Sequence, residues 1–323
     1  MKKFDVVAIG ELLIDMTDNG ISEQGNTVFE ANPGGAPCNV LAMLSKLNHS
    51  VSFVGKVGGD IFGWKLKRVL DEVGICSDYL CIDPDCRTTL AFVETKEGGD
   101  RDFSFYRNPG ADMMLEKKDI DEEVLQNTKI FHFGTLSMTH DLVRNATKYA
   151  VETAKNCGEL ISFDPNIREP LWDSMELARE QVNYGLSMCD ILKISDNEME
   201  WLTGESDYSV GIAKIREKYS IPLILLSMGR DGSRAYYYGK SESIVVENKA
   251  FIQEGTIETT GAGDTFMACV LHFVLQVGLD QFNKEKLSEM LRFANVAASV
   301  ITTRRGALRV MPSEKEIREI LTR

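Results

Sequence analysis

Residues 258–266 place a glycine-rich turn and an acidic side chain directly before an apolar run. The small residues 261–263 allow an anion to approach the backbone closely. The apolar run 266–279 predicts a buried helix, and the first N–H groups of a helix point outward at the positive end of its dipole. Asp264 stands at this end, where a carboxylate is favoured in its charged form. A phosphate cradle beside a base indicates phosphoryl transfer, although an ordinary capped turn into a core helix has the same composition.

A second glycine turn lies at residues 33–40, before another predicted helix. Gly34 and Gly35 permit close contact between the backbone and a small ligand. Asn39, in the first helical turn, can direct its amide toward that ligand. A plain loop-to-helix junction with a solvated Asn39 explains the same residues.

Further polar side chains occur where predicted strands end. They are Asp15, Asp164, Asn166, Ser195, Glu198 and Ser227. In sheets of parallel strands, ligands bind outside the carboxyl ends of the strands. We therefore expect these residues to face one site along one rim of the sheet.

Four residues near these strand ends have two interpretations each. Arg168 can hold a sugar hydroxyl or a phosphate, or it can form a structural ion pair. Glu198 can cap a helix, or it can organise the waters of Mg²⁺, which takes few protein carboxylates. Tyr106 and Arg107 leave a predicted hairpin, where they can close over a substrate or simply pack at the hairpin end.

Alternating strands and helices position these residues. The predicted strands of the main pattern are 4–9, 51–57, 130–133, 160–163, 191–194, 223–227 and 233–238. The predicted helices are 37–47, 60–73, 142–156, 174–185, 209–219, 265–277, 284–303 and a short helix after residue 312. This alternation predicts an α/β fold in three layers, a mainly parallel central sheet with helices on both faces.

A few strands do not fit the alternation. They are a short strand at 27–30 and a hairpin of residues 88–93 and 102–106, joined through residues 98–100. We expect them to form a small β-sheet lid. The chain is thus predicted to be one domain over residues 1–323, with a lid formed by about 12–33 and 87–112.

The composition excludes several classes of function. The chain has 36 Lys and Arg residues against 49 Asp and Glu residues, a net charge of −13, which argues against nucleic acid or an anionic membrane as the main partner. We find no apolar stretch long enough to cross a bilayer and no signal sequence at residues 1–5, so we expect a cytoplasmic location. The seven cysteines are an odd number, which fits reduced thiols. Neither they nor the four histidines have the spacing of metal ligands.

Three common nucleotide-binding patterns are missing from the sequence. There is no P-loop motif, no protein-kinase signature set, and no Gly-x-Gly-x-x-Gly after the first strand. The last absence argues against a nicotinamide-dependent dehydrogenase.

Taken together, the two glycine turns resemble the two signatures of the ribokinase-like (PfkB-type) carbohydrate kinases. The resemblance covers nearly the whole chain, from Gly10 to Ala307. Within the family it is closest to bacterial fructokinases, through Gly-Glu-Leu-Leu-Ile-Asp at 10–15, the segment 164–172 and Lys-Ile-Ser-Asp at 193–196. It implies an ATP-dependent sugar kinase with a Rossmann-like three-layer α/β/α domain and a β lid. It also implies fructose as the acceptor that becomes fructose 6-phosphate.

The resemblance also assigns roles to individual residues. Asp264 is the base that takes the proton of the sugar hydroxyl, and the backbone amides of Gly261, Ala262 and Gly263 form an anion hole. The residues assigned to the sugar are Asp15, Gly34, Gly35, Asn39, Tyr106, Arg107 and Arg168. The residues assigned to ATP are Ser195, Ser227, Gly229, Gly232, Gly261, Gly263, Asn295 and Ala298. The implied cofactors are ATP and Mg²⁺, which Glu198 would reach through water.

Two positions depart from the family pattern. Glu258 stands where the family usually has Asp, at a position associated with a monovalent cation, so a requirement for K⁺ stays open. Ser195 stands where an Asn commonly precedes the Mg²⁺-linked Glu by three residues. Asn197 and Glu200 repeat that spacing, but the distance to Leu202 and Gly204 favours Glu198.

Other functions remain open at this point. Within the kinases, the acceptor can be 2-keto-3-deoxygluconate, ribose or a nucleoside. A sugar or nucleotide sensor without catalytic activity can share the scaffold, although the intact Gly-Ala-Gly-Asp sequence argues against it. A lid sheet with one open face also makes a homodimer through the lid a reasonable expectation.

Overall fold

The computed structural model describes residues 2–95, 101–240 and 242–322, and the side chains of residues 94–103 are not described. The predicted turn at residues 98–100 lies outside the described residues. Among the described helices, none combines the length and the apolar character that a bilayer crossing requires.

The strands and helices are numbered along the chain. The strands are β1 (Phe4–Ile9), β2 (Leu13–Ile21), β3 (Thr27–Gly34), β4 (Val51–Gly58), β5 (Ile75–Cys76), β6 (Leu80–Asp83), β7 (Leu90–Thr95), β8 (Arg101–Tyr106), β9 (Thr128–Gly134), β10 (Leu160–Asp164), β11 (Ile191–Ser195), β12 (Leu223–Ser227), β13 (Ser233–Tyr238) and β14 (Ser243–Asn248). The helices are α1 (Ala36–Lys46), α2 (Ile61–Glu72), α3 (Glu122–Gln126), α4 (Asp141–Asn156), α5 (Met175–Met188), α6 (Asp196–Thr203), α7 (Tyr208–Lys218), α8 (Ala262–Val277), α9 (Lys284–Ile301) and α10 (Glu314–Leu321).

Ten of the described strands form a large sheet in the order β14-β13-β12-β11-β10-β9-β1-β4-β5, with β6 beside β4. All neighbours from β12 to β5 run parallel, and β13 and β14 add an antiparallel edge. This arrangement confirms the prediction of a mainly parallel central sheet. The sequence reading missed β14, whose alternate residues are exposed.

Helices cover both faces of the large sheet, because its strands are apolar on both sides. Successive residues of β1 point to opposite faces. Val6 and Ala8 belong to one core, together with residues of α1, α8 and α9, whereas Val7 and Ile9 belong to a second core with residues of α4, α5 and α7. The molecule therefore has the predicted three layers.

Polar residues fix where several helices begin and end. The side chain of Asp60 accepts hydrogen bonds from the N–H groups of Phe62 and Gly63 at the start of α2. Ser195 and Glu198 form a capping box at the start of α6. That helix ends at Gly204, which adopts the left-handed conformation with φ +71°.

A separate small sheet has the strand order β3-β2-β7-β8. It confirms the prediction of a second, smaller sheet, but the sequence reading recognised only part of β3 and missed β2. The second half of β2 is exposed, so it lacks the alternation of apolar and polar residues that marks a strand. As a result Asp15, which was expected to follow the first strand of the main sheet, lies within a strand of the small sheet.

Candidate active site

Asp264 lies in the first turn of α8, at the carboxyl edge of the large sheet. The helix begins after Gly261, whose φ of +76° is a left-handed conformation that favours glycine. Burial raises the pKa of the Asp264 carboxyl above its usual 3.8, while a hydrogen bond from Asn39 and the charges of Lys193 and Arg168 act in the opposite direction. The site thus holds a carboxylate that is partly withdrawn from water yet stabilised in its charged form.

A polar cavity of about 340 Å³ opens over this carboxylate. It lies between the small sheet and the edge of the large sheet. Seven residues that the sequence reading assigned to the sugar or to catalysis line it: Asp15, Gly35, Asn39, Arg168, Gly261, Gly263 and Asp264. The cavity also contains Glu11, Phe105 and Lys193, to which the sequence reading gave no role.

Asn39 joins the two glycine turns. Its Nδ2 donates to Oδ2 of Asp264 at 2.7 Å, and its Oδ1 is buried without a hydrogen-bond partner among the described residues. The preceding Gly35 has φ +134°, and a Cβ there would lie 2.4 Å from the carbonyl oxygen of Glu11. Only glycine fits at this position. The close approach of Gly35 to Glu11 brings the start of α1 against the end of β1.

Asp15 on β2 and Gly34 on β3 are diagonal neighbours, because the register pairs Asp15 with Asn32 and Gly34 with Leu13. A Cβ on Gly34 would lie 2.2 Å from Oδ2 of Asp15. Gly34 itself does not line the cavity, so its contribution is to make room for the carboxylate of Asp15. A hydroxyl-rich ligand is well matched by such a carboxylate, since sugar hydroxyls are hydrogen-bond donors.

The structure places Tyr106 and Arg107 away from the cavity. Successive residues of β8 point to opposite faces, so Phe105 lines the cavity and Tyr106 is exposed on the outer face. Arg107 is buried, its Nε donates to Asp112 Oδ2 at 2.7 Å, and its Nη2 lies 2.7 Å from the same oxygen. Its Nη1 donates to the hydroxyl of Thr139. These two residues were assigned direct sugar contacts, and the described geometry instead gives Arg107 a structural ion pair.

Glu11 follows β1 directly and was missed by the sequence reading. Its Oε1 accepts a hydrogen bond from the N–H of Ala36 at 2.8 Å, at the start of α1. Burial raises the pKa of Glu11 to about 7. An acidic residue immediately after a buried strand was the available signal.

A second cavity, of about 510 Å³, adjoins the first, and Asn166, Arg168, Lys193 and Gly263 line both. It lies between α9 and the ends of β11 and β12. Seven of the residues assigned to ATP line it: Ser195, Ser227, Gly229, Gly232, Gly263, Asn295 and Ala298. Gly232 has φ +107°, and a Cβ there would lie 2.1 Å from the carbonyl oxygen of Asn248.

The amide of Asn295 is engaged in the wall of this second cavity. Its Oδ1 accepts from Ser233 Oγ at 2.9 Å, and its Nδ2 donates to the carbonyl oxygen of Lys249 at 3.1 Å. The residue therefore ties α9 to β13 and to the segment after β14. Ala298, one turn further along the helix, leaves room for a flat ring.

The carboxylate of Glu198 bridges two segments at the floor of the second cavity. Its Oε2 accepts from the N–H of Ser195 at 2.9 Å, and its Oε1 accepts from the N–H of Ile167 at 2.9 Å. Oε2 also accepts from the hydroxyl of Ser195 at 2.8 Å, whereas Oε1 retains a lone pair for a water molecule. A carboxylate that meets a metal ion only through water has this kind of environment.

Glu258 lies in the loop that precedes the glycine turn. Its Oε1 accepts from the N–H of Gly306 at 2.9 Å, and its own N–H donates to the carbonyl oxygen of Thr302. Over the described residues, no three His, Cys, Asp or Glu side chains cluster as ligands of a metal ion. The seven cysteines are all unpaired.

Comparisons with known proteins agree with this architecture. The model of the family described as pfkB family carbohydrate kinase matches residues 3–314. A relative named probable fructokinase-2, from Arabidopsis thaliana, is 37% identical over 96% of this chain and 94% of its own length. The solved structure of a fructokinase with bound ATP from Xylella fastidiosa superposes with a TM-score of 0.87 at 28% identity, covering 100% of this chain and 99% of that one. A double mutant of a fructokinase from Vibrio cholerae O395, in a fructose, ADP and potassium ion bound form, gives 0.86 at 28% identity, covering 99% of each chain.

Proposed function

The chain belongs to the pfkB family of carbohydrate kinases, and we propose that it transfers the γ-phosphoryl group of ATP to D-fructose, forming fructose 6-phosphate and ADP. The observation that carries this proposal is the position of Asp264 in the first cavity, next to Gly263, which also lines the second cavity. One cavity is lined by carboxylate, amide and guanidinium groups that suit a sugar, and the other is a longer cleft beside α9 that suits a nucleotide. A base beside the residues that the two cavities share can act on a hydroxyl while it attacks a phosphoryl group.

In this mechanism Asp264 accepts the proton of the primary hydroxyl as the oxygen attacks. Little base strength is needed when the transition state is loose, so the carboxylate of Asp264 is sufficient as the base. The amides of residues 261–263, at the positive end of the α8 dipole, stabilise the charge on the phosphoryl oxygens. Most of the rate acceleration then comes from positioning and electrostatic stabilisation.

We propose Mg²⁺ as the divalent ion of the reaction, with Glu198 holding one of its waters. Mg²⁺ takes one or two carboxylates together with the substrate phosphates and keeps several waters. The environment of Glu198 fits this role, because each of its oxygens is oriented by a protein N–H group. When bound, the ion would neutralise charge on the phosphates.

We further propose that the loop containing Glu258 holds a monovalent cation behind the anion hole. The loop offers a carboxylate close to backbone carbonyl groups, and oxygen donors of this kind suit K⁺. The hydrogen bond from Gly306 orients the carboxylate. A kcat that is higher in potassium chloride than in choline chloride at equal ionic strength would support this site, and equal rates would exclude it.

The cavity favours a neutral sugar over the other acceptors. Of the two cationic residues that line it, Lys193 is paired with Asp164, which leaves Arg168 as the lining cation without a carboxylate partner in the described contacts. An acidic sugar such as 2-keto-3-deoxygluconate needs more positive charge than this. A nucleoside is favoured by stacking between aromatic rings, and Phe105 is the single aromatic residue among the described residues of the lining.

A panel of acceptors tests the proposal. ADP release is measured with fructose, glucose, ribose, 2-keto-3-deoxygluconate and adenosine, and the position of the new phosphate is checked by coupling to phosphoglucose isomerase. We expect the highest kcat/KM with fructose and a product that the isomerase accepts. Release with another sugar alone would refute fructose as the acceptor, and no release with any of them would refute the kinase activity.

We also propose a homodimer that forms through the outer face of the small sheet. Phe29, Phe92 and Tyr106 form an aromatic cluster there, with ring centroids of neighbouring pairs 5.2 and 5.1 Å apart. Tyr106 is 67% exposed and Phe29 is 40% exposed, which is unusual for rings that pack together. Light scattering should give twice the chain mass for the wild type and a monomer for Tyr106→Asp. A monomeric wild type would refute the proposal.

The remaining proposals concern organisation and location. We propose that the small sheet acts as a lid of a single domain, because it supplies Asp15 and Phe105 to the sugar cavity. Hydrogen exchange in β2 should slow when fructose binds, and unchanged exchange would refute closure.

We propose a cytoplasmic location, because the unpaired cysteines fit a reducing compartment.

A further inference from the structure

A buried ion pair lies between the two cavities. Nζ of Lys193 is 2.8 Å from Oδ2 of Asp164, and the two side chains are 8% and 5% exposed. Lys193 is on β11 and Asp164 ends β10, the neighbouring parallel strand. The other residues in the first part of β11 are apolar and buried, so Lys193 is an exception within its strand.

Stability alone does not account for this pair. Two charges lose their hydration when they are buried, and replacing a buried ion pair with apolar residues is often neutral or stabilising. A lysine in the middle of a buried strand therefore points to a use of its charge. Lys193 lines both cavities of the site, which indicates where that use lies.

The ammonium group of Lys193 lies beside the anion hole. A Cβ built on Gly263 would be 3.1 Å from Nζ, which places the amine against the first turn of α8. Lys193 lines both the sugar cavity and the nucleotide cavity. It shares this position with Asn166, Arg168 and Gly263, which also line both cavities.

The surroundings keep Lys193 charged and only partly engaged. Burial opposes its charge, but the carboxylates of Asp164, Glu198 and Asp264 outweigh burial and raise the pKa of the amine. The ammonium group has three N–H donors, and its hydrogen bond to Asp164 uses one of them. The other oxygen of Asp164, Oδ1, is buried without a partner among the described residues.

We propose that Lys193 is a further catalytic residue, whose ammonium group binds the γ-phosphoryl group while it is transferred, and that Asp164 is the positioning residue that holds it. This inference rests on the proposed kinase activity. In the step, the bond between the fructose oxygen and the γ-phosphorus forms and the bond to the bridging oxygen breaks. ADP leaves with that electron pair, the hydroxyl proton goes to Asp264, and Lys193 keeps its protons.

A series of variants tests the role of the amine. Lys193→Met should lower kcat by about 10²–10³-fold, the usual effect of removing one donor to transition-state charge. The KM for fructose and the Kd for ADP should change by less than about threefold, because neither ligand contains the transferred group. Lys193→Arg, which keeps the charge, should recover part of the lost kcat.

The double variant Lys193→Met/Asp164→Asn separates catalysis from folding. Lys193→Met alone leaves Asp164 buried and unpaired, so its melting temperature should fall. The double variant has no buried charge at this place, and it should recover the melting temperature while its kcat stays as low as that of Lys193→Met. Asp164→Asn alone should lower kcat by about tenfold with an unchanged fructose KM, as expected for a positioning residue.

The result that overturns the inference is a Lys193→Met enzyme whose kcat stays within about threefold of the wild type. A double variant that regains activity together with stability would overturn it as well, because the pair would then be structural. A wild type that phosphorylates no acceptor would instead refute the proposed function. An active wild type with an unaffected Lys193→Met variant would refute only the role of Lys193.

Discussion

Nδ2 of Asn39 donates a hydrogen bond to Oδ2 of Asp264 across 2.7 Å, although the two residues are 225 positions apart in the chain. The bond joins the first turn of α1 to the first turn of α8. Each of these helices begins at a glycine with positive φ, Gly35 and Gly261, and each glycine brings the backbone close to the same cavity. The contact therefore couples the proposed sugar-binding helix to the proposed base.

This contact predicts how the activity depends on pH. Asp264 must be deprotonated to act as the base, so kcat should fall as the pH is lowered through its pKa. Burial places that pKa above 3.8, and the hydrogen bond from Asn39 lowers it. Asn39→Ala removes the bond, so the pKa should rise and the acidic limb of the kcat profile should move to higher pH.

The control for this shift is Ser45→Ala, on the same helix. The hydroxyl of Ser45 donates to the carbonyl oxygen of Val73 at 2.7 Å, away from the site, so this variant should keep the acidic limb of the wild type. Lys193 has a raised pKa and should cause no loss of activity below about pH 10. An acidic limb that stays in place in Asn39→Ala would contradict the role of this hydrogen bond.

The ion pair of Arg107 and Asp112 predicts a structural effect. Both side chains are almost fully buried, at 4% and 2% exposure. Arg107→Ala leaves the Asp112 charge unpaired and should lower the free energy of unfolding by about 3–5 kcal/mol. The double variant Arg107→Met/Asp112→Asn should recover much of this loss, as measured by urea denaturation.

The same double variant shows whether Arg107 stabilises the fold or binds the sugar directly. Arg107 lies outside the described cavity lining, so the KM for fructose should stay within about threefold of the wild type in the folded double variant. A KM that rises by tenfold or more, roughly 1.4 kcal/mol of lost binding, would restore the sequence-based assignment of Arg107 to the sugar.

Two nearby glutamates provide a matched pair for the divalent ion. Glu198→Gln should lower kcat by about 10–100-fold and raise the Mg²⁺ concentration needed for half-maximal rate, as for other residues that act through a metal-bound water. Glu200, one half-turn further along α6, is exposed, and Glu200→Gln should leave both quantities unchanged. If Glu200→Gln lowered kcat and Glu198→Gln did not, the role would belong to Asn197 and Glu200, which have the same Asn-x-x-Glu spacing.

Much of the site followed from the sequence because its main residues lie at glycine turns and strand ends. Glycines before helices mark close backbone approach whatever the distant packing is, and parallel strands bring their carboxyl ends to one edge. The two turns around Gly35 and Gly261 were therefore recognisable separately. That Asn39 would contact Asp264 directly depends on how α1 and α8 pack together, and a linear sequence does not contain that distance.

The features of the site that the sequence did not predict also have physical causes. The exposed half of β2 lacks an apolar face, so periodicity did not show the strand that carries Asp15. On β8, an exposed Tyr106 and a cavity-lining Phe105 are both aromatic, and only the register of the strand tells which one faces the site. Lys193 was identifiable as a charge within a buried strand, but its partner Asp164 lies on another strand.

The central claim is that the carboxylate of Asp264 activates the acceptor hydroxyl beside the anion hole. The most direct test is the kcat of Asp264→Asn with fructose and ATP, measured alongside fructose binding by calorimetry. The account predicts that kcat falls by at least about 10²–10⁴-fold, the usual contribution of a general base, while folding and fructose binding are largely retained. A folded Asp264→Asn enzyme that turns over at a rate near that of the wild type would contradict the account.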